Sequence, residues 1–104
     1  MEIVLIDSFV VSDASKPALL ETSRAIQNVL KTMPGFVEGF VYEKRGGEGG
    51  HNVVTTTVWK DEDAFENAKR AVPARLQGLG INPAEKMKAL NVQIERGVFT
   101  RSAY

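Results

Sequence analysis

The chain has 104 residues, and its thirteen basic and thirteen acidic side chains give a formal net charge of zero at pH 7. The charges are interspersed, so there is no cationic stripe for nucleic acid or anionic lipid, and the absence of cysteine excludes disulfides, thiolate metal sites and a cysteine nucleophile. The length fits one domain over residues 1–104 with a single core. Glu2 and Asp7 interrupt the first apolar run, no basic segment precedes it, and no stretch approaches the roughly 18 apolar residues of a membrane span. A protein of the cytoplasm is expected.

Glu2 to Val11 is dense in Ile, Val, Leu and Phe yet shorter than a typical helix, which predicts a strand apolar on both faces. Ile3, Leu5, Asp7 and Phe9 share one face; Val4, Ile6, Ser8 and Val10 share the other. Ser12 to Ser15 can supply an N-cap, and Pro17 suits a first helical turn. The spacing of Leu19, Leu20, Ile26, Val29, Leu30 and Met33 predicts a helix to about Met33, ended by Pro34-Gly35.

Phe36 to Arg45 alternates Phe36, Glu38, Phe40, Tyr42 and Lys44 against Val37, Gly39, Val41 and Glu43, a second strand. Gly46-Gly-Glu-Gly-Gly50 turns the chain into a third, His51 to Lys60, so the two form an antiparallel hairpin. The glycines join two strands and lead into no helix N-terminus, so they make a turn and not a phosphate loop. Asp61, Glu62 and Asp63 sit where a helix start favours negative charge. Phe65, Ala68, Val72, Leu76 and Leu79 keep helical spacing, with Pro73 expected to kink or split the helix and Gly78 and Gly80 to stop it.

Asn82-Pro-Ala-Glu85 reads as a capping box opening a short helix through Leu90. Asn91 to Thr100 reads as a last strand burying Val92, Ile94 and Val98, before a tail from Arg101 to Tyr104. The order βαββαβ predicts an α+β, ferredoxin-like fold, a four-stranded antiparallel sheet with both main helices on one face. A first strand apolar on both sides leaves its far face uncovered, and the economical cover is a second copy: a homodimer burying at least ~800 Å² per partner.

Three of these stretches carry a family resemblance. Met33-Pro-Gly-Phe36 leading into Val37 to Glu43, then the hairpin, then Val58-Trp59-Lys-Asp-Glu-Asp-Ala-Phe65 together resemble the antibiotic biosynthesis monooxygenase domain family, a branch of the dimeric α+β barrels. The resemblance spans nearly the whole chain. It implies the dimeric barrel fold and, among several activities, either oxidation of polycyclic phenols to quinones without a cofactor or degradation of haem. Haem-degrading relatives pair the strand Trp with an Asn on the first strand and a His on the second helix. Here Trp59 matches, but Asp7 and Ser8 stand at the Asn height and Glu66 to Val72 contains no histidine. Cofactor-independent oxygenation is therefore the better match.

That reaction needs a cavity for a flat substrate, a donor for its oxygen, and a base that generates the anion which meets O₂. If His51, Val53, Thr55, Thr57 and Trp59 share the helix side, that side carries the groups such a cavity needs: Trp59 is the candidate donor and Phe36, Phe40 and Phe65 are candidate walls beside Thr55 and Thr57. Asp7, Tyr42, His51 and Arg75 are candidates for proton transfer or anion stabilisation. No cofactor and no metal is expected. Each residue has a plainer reading. Trp59 can simply pack between sheet and helix, and Asp7 can tie a helix lysine or arginine. His51 can be a solvent-exposed loop histidine, and Arg75 can extend to solvent. A barrel of the same build that binds a small ligand without turnover is the alternative function.

Overall fold

The computed structural model describes residues 1–104. The elements run β1 (Ile3–Val10), α1 (Lys16–Leu30), β2 (Phe36–Glu43), β3 (Val53–Trp59), α2 (Glu62–Gly78), α3 (Pro83–Ala89) and β4 (Gln93–Phe99). The strands form one sheet in the order β2-β3-β1-β4, every neighbouring pair antiparallel. With the helices on one face, this is the ferredoxin-like α+β arrangement that the element order predicts. The shortest dimension is 16 Å, two layers of secondary structure. On the far face of the sheet Phe40, Tyr42 and Phe99 are each about half exposed.

Local chemistry explains the element ends. Asp61 accepts from the Ala64 amide at 2.8 Å and caps α2, with Glu62 and Asp63 in the first turn. At the other end Ile81 N–H donates to Leu76 O and Gly80 N–H to Gln77 O, a Schellman closure that places Gly80 at φ +74°. Asn82 accepts from the Glu85 amide at 3.1 Å, so α3 starts at the expected cap. Ser15 is the N-cap of α1 but makes no side-chain capping bond; Ser12 Oγ accepts from the Ser15 amide instead. Helix α1 closes at Leu30, with turns carrying the chain to Met33. Pro73 does not split α2, which stays helical from Glu62 to Gly78.

Two expectations about strand faces are corrected. The register of β2 against β3 slips between Phe36 and Glu38, a bulge that inserts one residue and reverses side-chain parity beyond it. Phe36 therefore faces the helices, but Phe40 and Tyr42 face the open side, 49% and 51% exposed, with their rings 6.1 Å apart. Gly39, Val41 and Glu43 take the helix side; Glu43 pairs with Lys16 at 3.0 Å. The alternation along β4 predicts that Ile94 and Val98 are buried. They are 47% and 56% exposed, because the helices pack over β2 and β3 and leave the helix-side surface of edge strand β4 open.

Candidate functional site

Two separate apolar clusters lie between sheet and helices. One gathers Ile3, Met33, Trp59, Ala64, Phe65 and Ala68; the other gathers Phe9, Val11, Leu19 and Val53. On β1 their anchors are Ile3 and Phe9, and on β3 they are Trp59 and Val53. The stretches between those anchors, Leu5 to Asp7 on β1 and Thr55 to Thr57 on β3, form the floor of a cavity of about 400 Å³. Ser23, Ile26, Gln27 and Leu30 of α1 and Ala68, Val72 and Leu76 of α2 form its roof. The volume lies in the range of small-molecule sites, about 300–1,000 Å³, and a mostly apolar lining with a few polar groups is their usual chemistry.

Trp59 belongs to both the core and the cavity wall. It is 2% exposed, meets Phe36 edge to face at 5.5 Å, and lines the cavity with its remaining surface. Its Nε1–H donates to Thr57 Oγ1 at 3.2 Å. A hydroxyl that accepts from the indole keeps its own proton for another acceptor, so Thr57 is the group in this pair with a donor to offer a ligand. Ring and hydroxyl meet because residues two apart on a strand share a face.

Asp7 is 8% exposed and lies on the cavity floor. Its partner comes from the neighbouring strand and not from a helix. Arg96, its cross-strand neighbour on β4, donates Nε–H to Oδ1 at 2.7 Å and Nη2–H to Oδ2 at 2.9 Å. The pair is planar and two-pronged, the geometry in which guanidinium and carboxylate fit best. The hydrogen bond to Asp7 raises the Arg96 pKa; burial lowers it, and the Asp7 charge adds to the rise. Arg96 thus stays a cation throughout the neutral range.

The cavity brings together Asp7, Thr55, Thr57, Trp59 and Phe65 of the expected site residues. Phe36 stands behind Trp59 and supports the wall without lining it. Phe40 and Tyr42 are on the opposite face of the sheet. His51, on the hairpin, places Nε2 3.2 Å from Glu95 Oε2, away from the cavity. Arg75 is exposed, its Nη1 donating to Met33 Sδ at 3.8 Å. The parity reversal at the bulge removes Phe40 and Tyr42 from the cavity of this chain; position on an outer loop and an outer helix turn removes His51 and Arg75.

Sequence reasoning missed Ser23, Gln27 and Arg96. The first two leave a trace: Leu19, Ser23 and Gln27 are spaced by four, so two polar residues interrupt the buried face of α1. Gln27 Nε2 donates to the backbone oxygens of Phe40 and Thr56 at 3.4 and 3.3 Å, and its Oε1 lies where a Gly39 side chain would stand. Arg96 leaves only a charged residue between Ile94 and Val98. Its pairing with Asp7 depends on the β1–β4 register.

The fold and cavity define the class: an α+β domain of ferredoxin-like topology with an aromatic-walled cavity between sheet and helices. The chain matches the antibiotic biosynthesis monooxygenase family over residues 2–74 and belongs to that family. Among solved structures it is similar to SnoaB, a cofactor-independent oxygenase from Streptomyces nogalater, at 26% identity over 99% of this chain and 95% of that one, with a TM-score of 0.73. A candidate antibiotic biosynthesis monooxygenase from Deinococcus radiodurans shares the fold at 19% identity, covering 100% and 95% of the two chains, with a TM-score of 0.73. So does Rv0793 from Mycobacterium tuberculosis, at 14% identity, 100% and 98% coverage and a TM-score of 0.72. No curated protein matches the chain.

Proposed function

We propose that this protein is a cofactor-independent monooxygenase that oxidises a flat aromatic or polyketide-like molecule in the cavity beside Trp59. The observation that carries the reading is the cavity floor: a carboxylate, two threonine hydroxyls and an indole edge lie within an apolar enclosure, in a family of monooxygenases. The similarity to an oxygenase that needs no cofactor supports the same direction.

The roles follow from what each group has free. Arg96 occupies two of the roughly four acceptor positions of the Asp7 carboxylate, which leaves others to take the proton of a phenol or enol. Thr57, held by Trp59, donates to the oxygen on which negative charge develops. The resulting electron-rich anion transfers electrons to O₂. Oxidation of a ring CH₂ to a carbonyl consumes one O₂, one oxygen atom entering the product and the other leaving as water. Trp59, Phe65 and Leu5 hold the ring and exclude water.

Oxygen uptake with anthrone-type substrates, followed by identification of a quinone carrying one ¹⁸O atom from ¹⁸O₂, tests the reading. Tight binding of such compounds without oxygen consumption would replace it with a ligand-binding barrel that does not turn over. That second reading has its own support, since both oxygens of the one cavity carboxylate are already engaged by Arg96.

We also propose that the 104 residues form a single domain that works as a homodimer. The open sheet face carries Phe40, Tyr42 and Phe99, each about half exposed. A second copy packed over that face would bury them.

A further inference from the structure

Arg96 presents more hydrogen-bonding capacity than Asp7 consumes. A guanidinium has five N–H donors along two usable edges. Asp7 takes the side edge, Nε and Nη2, and no other acceptor of this chain binds Arg96, so the end edge, with one N–H from each terminal nitrogen, is free. The Asp7 side chain is 11% exposed and the Arg96 side chain 61%, so the pair has a buried half and an accessible half. Both residues line the cavity.

Two further features favour an anion at that edge. The ionisable groups in the lining are Asp7, Arg96 and Lys69, one acid against two bases, and Glu66 lies 3.7 Å from Lys69 Nζ. Asp7 is already matched by Arg96, so another negative group inside the cavity meets no uncompensated acid. Arg96 also sits on the edge strand that the helices leave open, between the exposed Ile94 and Val98, where a ligand's polar end can reach solvent. The bidentate pair with Asp7 holds the guanidinium still, so little side-chain entropy remains to be lost on binding.

We infer that Arg96 is the specificity-determining residue of this cavity, its free Nη1/Nη2 edge holding a carboxylate carried by the aromatic ligand. A carboxylate suits that edge better than a single phenolic oxygen, because two parallel N–H groups match two oxygens. The inference rests on the cavity being a ligand site, as proposed above, but not on oxygen chemistry taking place there.

The probes are naphthalene-2-carboxylate, its methyl ester and 2-naphthol, titrated calorimetrically into the full chain at pH 7. The acid is expected to bind at least about tenfold tighter than the ester, the size of a charge-assisted pair. Arg96→Gln is expected to erase that preference while changing the ester's affinity less than about twofold. Because Arg96→Gln strands the Asp7 carboxylate, the double variant Asp7→Asn/Arg96→Gln provides the same comparison without a stranded charge. Equal or absent binding of acid and ester to the native chain, a preference that survives in both variants, or 2-naphthol binding as tightly as the acid would each overturn the assignment. Acid preference without oxygen uptake on any substrate refutes the monooxygenase reading and leaves the anchor standing. Turnover of neutral phenols with no acid preference does the reverse.

Discussion

Trp59 gives its indole N–H to Thr57 Oγ1, 3.2 Å away on the same strand face, and that bond makes one unit of a core residue and a cavity hydroxyl. The Trp ring is fixed by Phe36 and by the Ile3, Phe65 and Ala68 side chains, so the hydroxyl inherits a defined direction. On the proposed mechanism Trp59 holds the substrate ring and orients Thr57, and Thr57 is the group that donates to the substrate oxygen.

Thr57→Val keeps the shape and removes the hydroxyl. It strands a buried indole N–H, at a cost of about 1–3 kcal/mol in unfolding free energy. Turnover should fall by about tenfold or more, as when a donor to a developing oxyanion is lost. Urea unfolding together with oxygen uptake checks both effects. Full activity in a folded Thr57→Val protein would remove Thr57 from the mechanism. Trp59→Phe should cost about 1–2 kcal/mol for the smaller ring and lower kcat more than it raises KM.

Gly39 lets α1 approach the sheet. A methyl group there collides with Gln27 Oε1 and presses on the Phe36 ring. Gly39→Ala should destabilise the fold by about 1–3 kcal/mol through overpacking. In Gly39→Ala/Gln27→Ala the two costs should sum to less than their separate values, because the second change removes the obstacle. Thermal unfolding of the four proteins in that cycle measures the coupling, and strict additivity would contradict the contact.

The pH dependence of Arg96 follows from the sign of its shift. Its folded-state pKa is raised, chiefly by the Asp7 hydrogen bond, so its contribution is fully present below the unfolded value. That contribution is lost only as pH rises through the still higher folded value, well above the neutral range. Native and Arg96→Gln proteins should therefore differ in stability by a constant amount between pH 6 and about pH 9. Denaturant midpoints across that range would show it, and a difference that closed in this window would contradict a persistent cation.

Phe40 and Tyr42 make the dimer proposal testable. Phe40→Glu/Tyr42→Glu places two like charges on the open sheet face and should convert a dimer to monomer at micromolar concentration, read by light scattering. An unchanged mass would move the interface elsewhere. The cavity lies on the other side of the sheet, so the monomer should keep its affinity for aromatic probes within about threefold if the cavity is complete within one chain.

The sequence alone determined the elements, their order and which residues of β1 and of β3 share a face, because hydrophobic period, caps and glycines act within a few residues of themselves; that the face with Asp7, Thr55, Thr57 and Trp59 is the one under the helices came from the packing. The sequence also placed Trp59 at the strand-to-helix junction but left open whether the ring fills the core or lines a cavity; the structure has it doing both. Only the tertiary structure decided the faces of Phe40 and Tyr42, since one inserted residue at Val37 reverses parity without disturbing the local alternation of residue types. Only it gave Asp7 its partner. Asp7 and Arg96 are 89 positions apart, and which cation a buried carboxylate meets is set by the register of two strands that pair across nearly the whole chain. The open flank of β4 has the same origin: Ile94 and Val98 alternate as buried residues do, but cover comes from helices whose reach no strand pattern encodes.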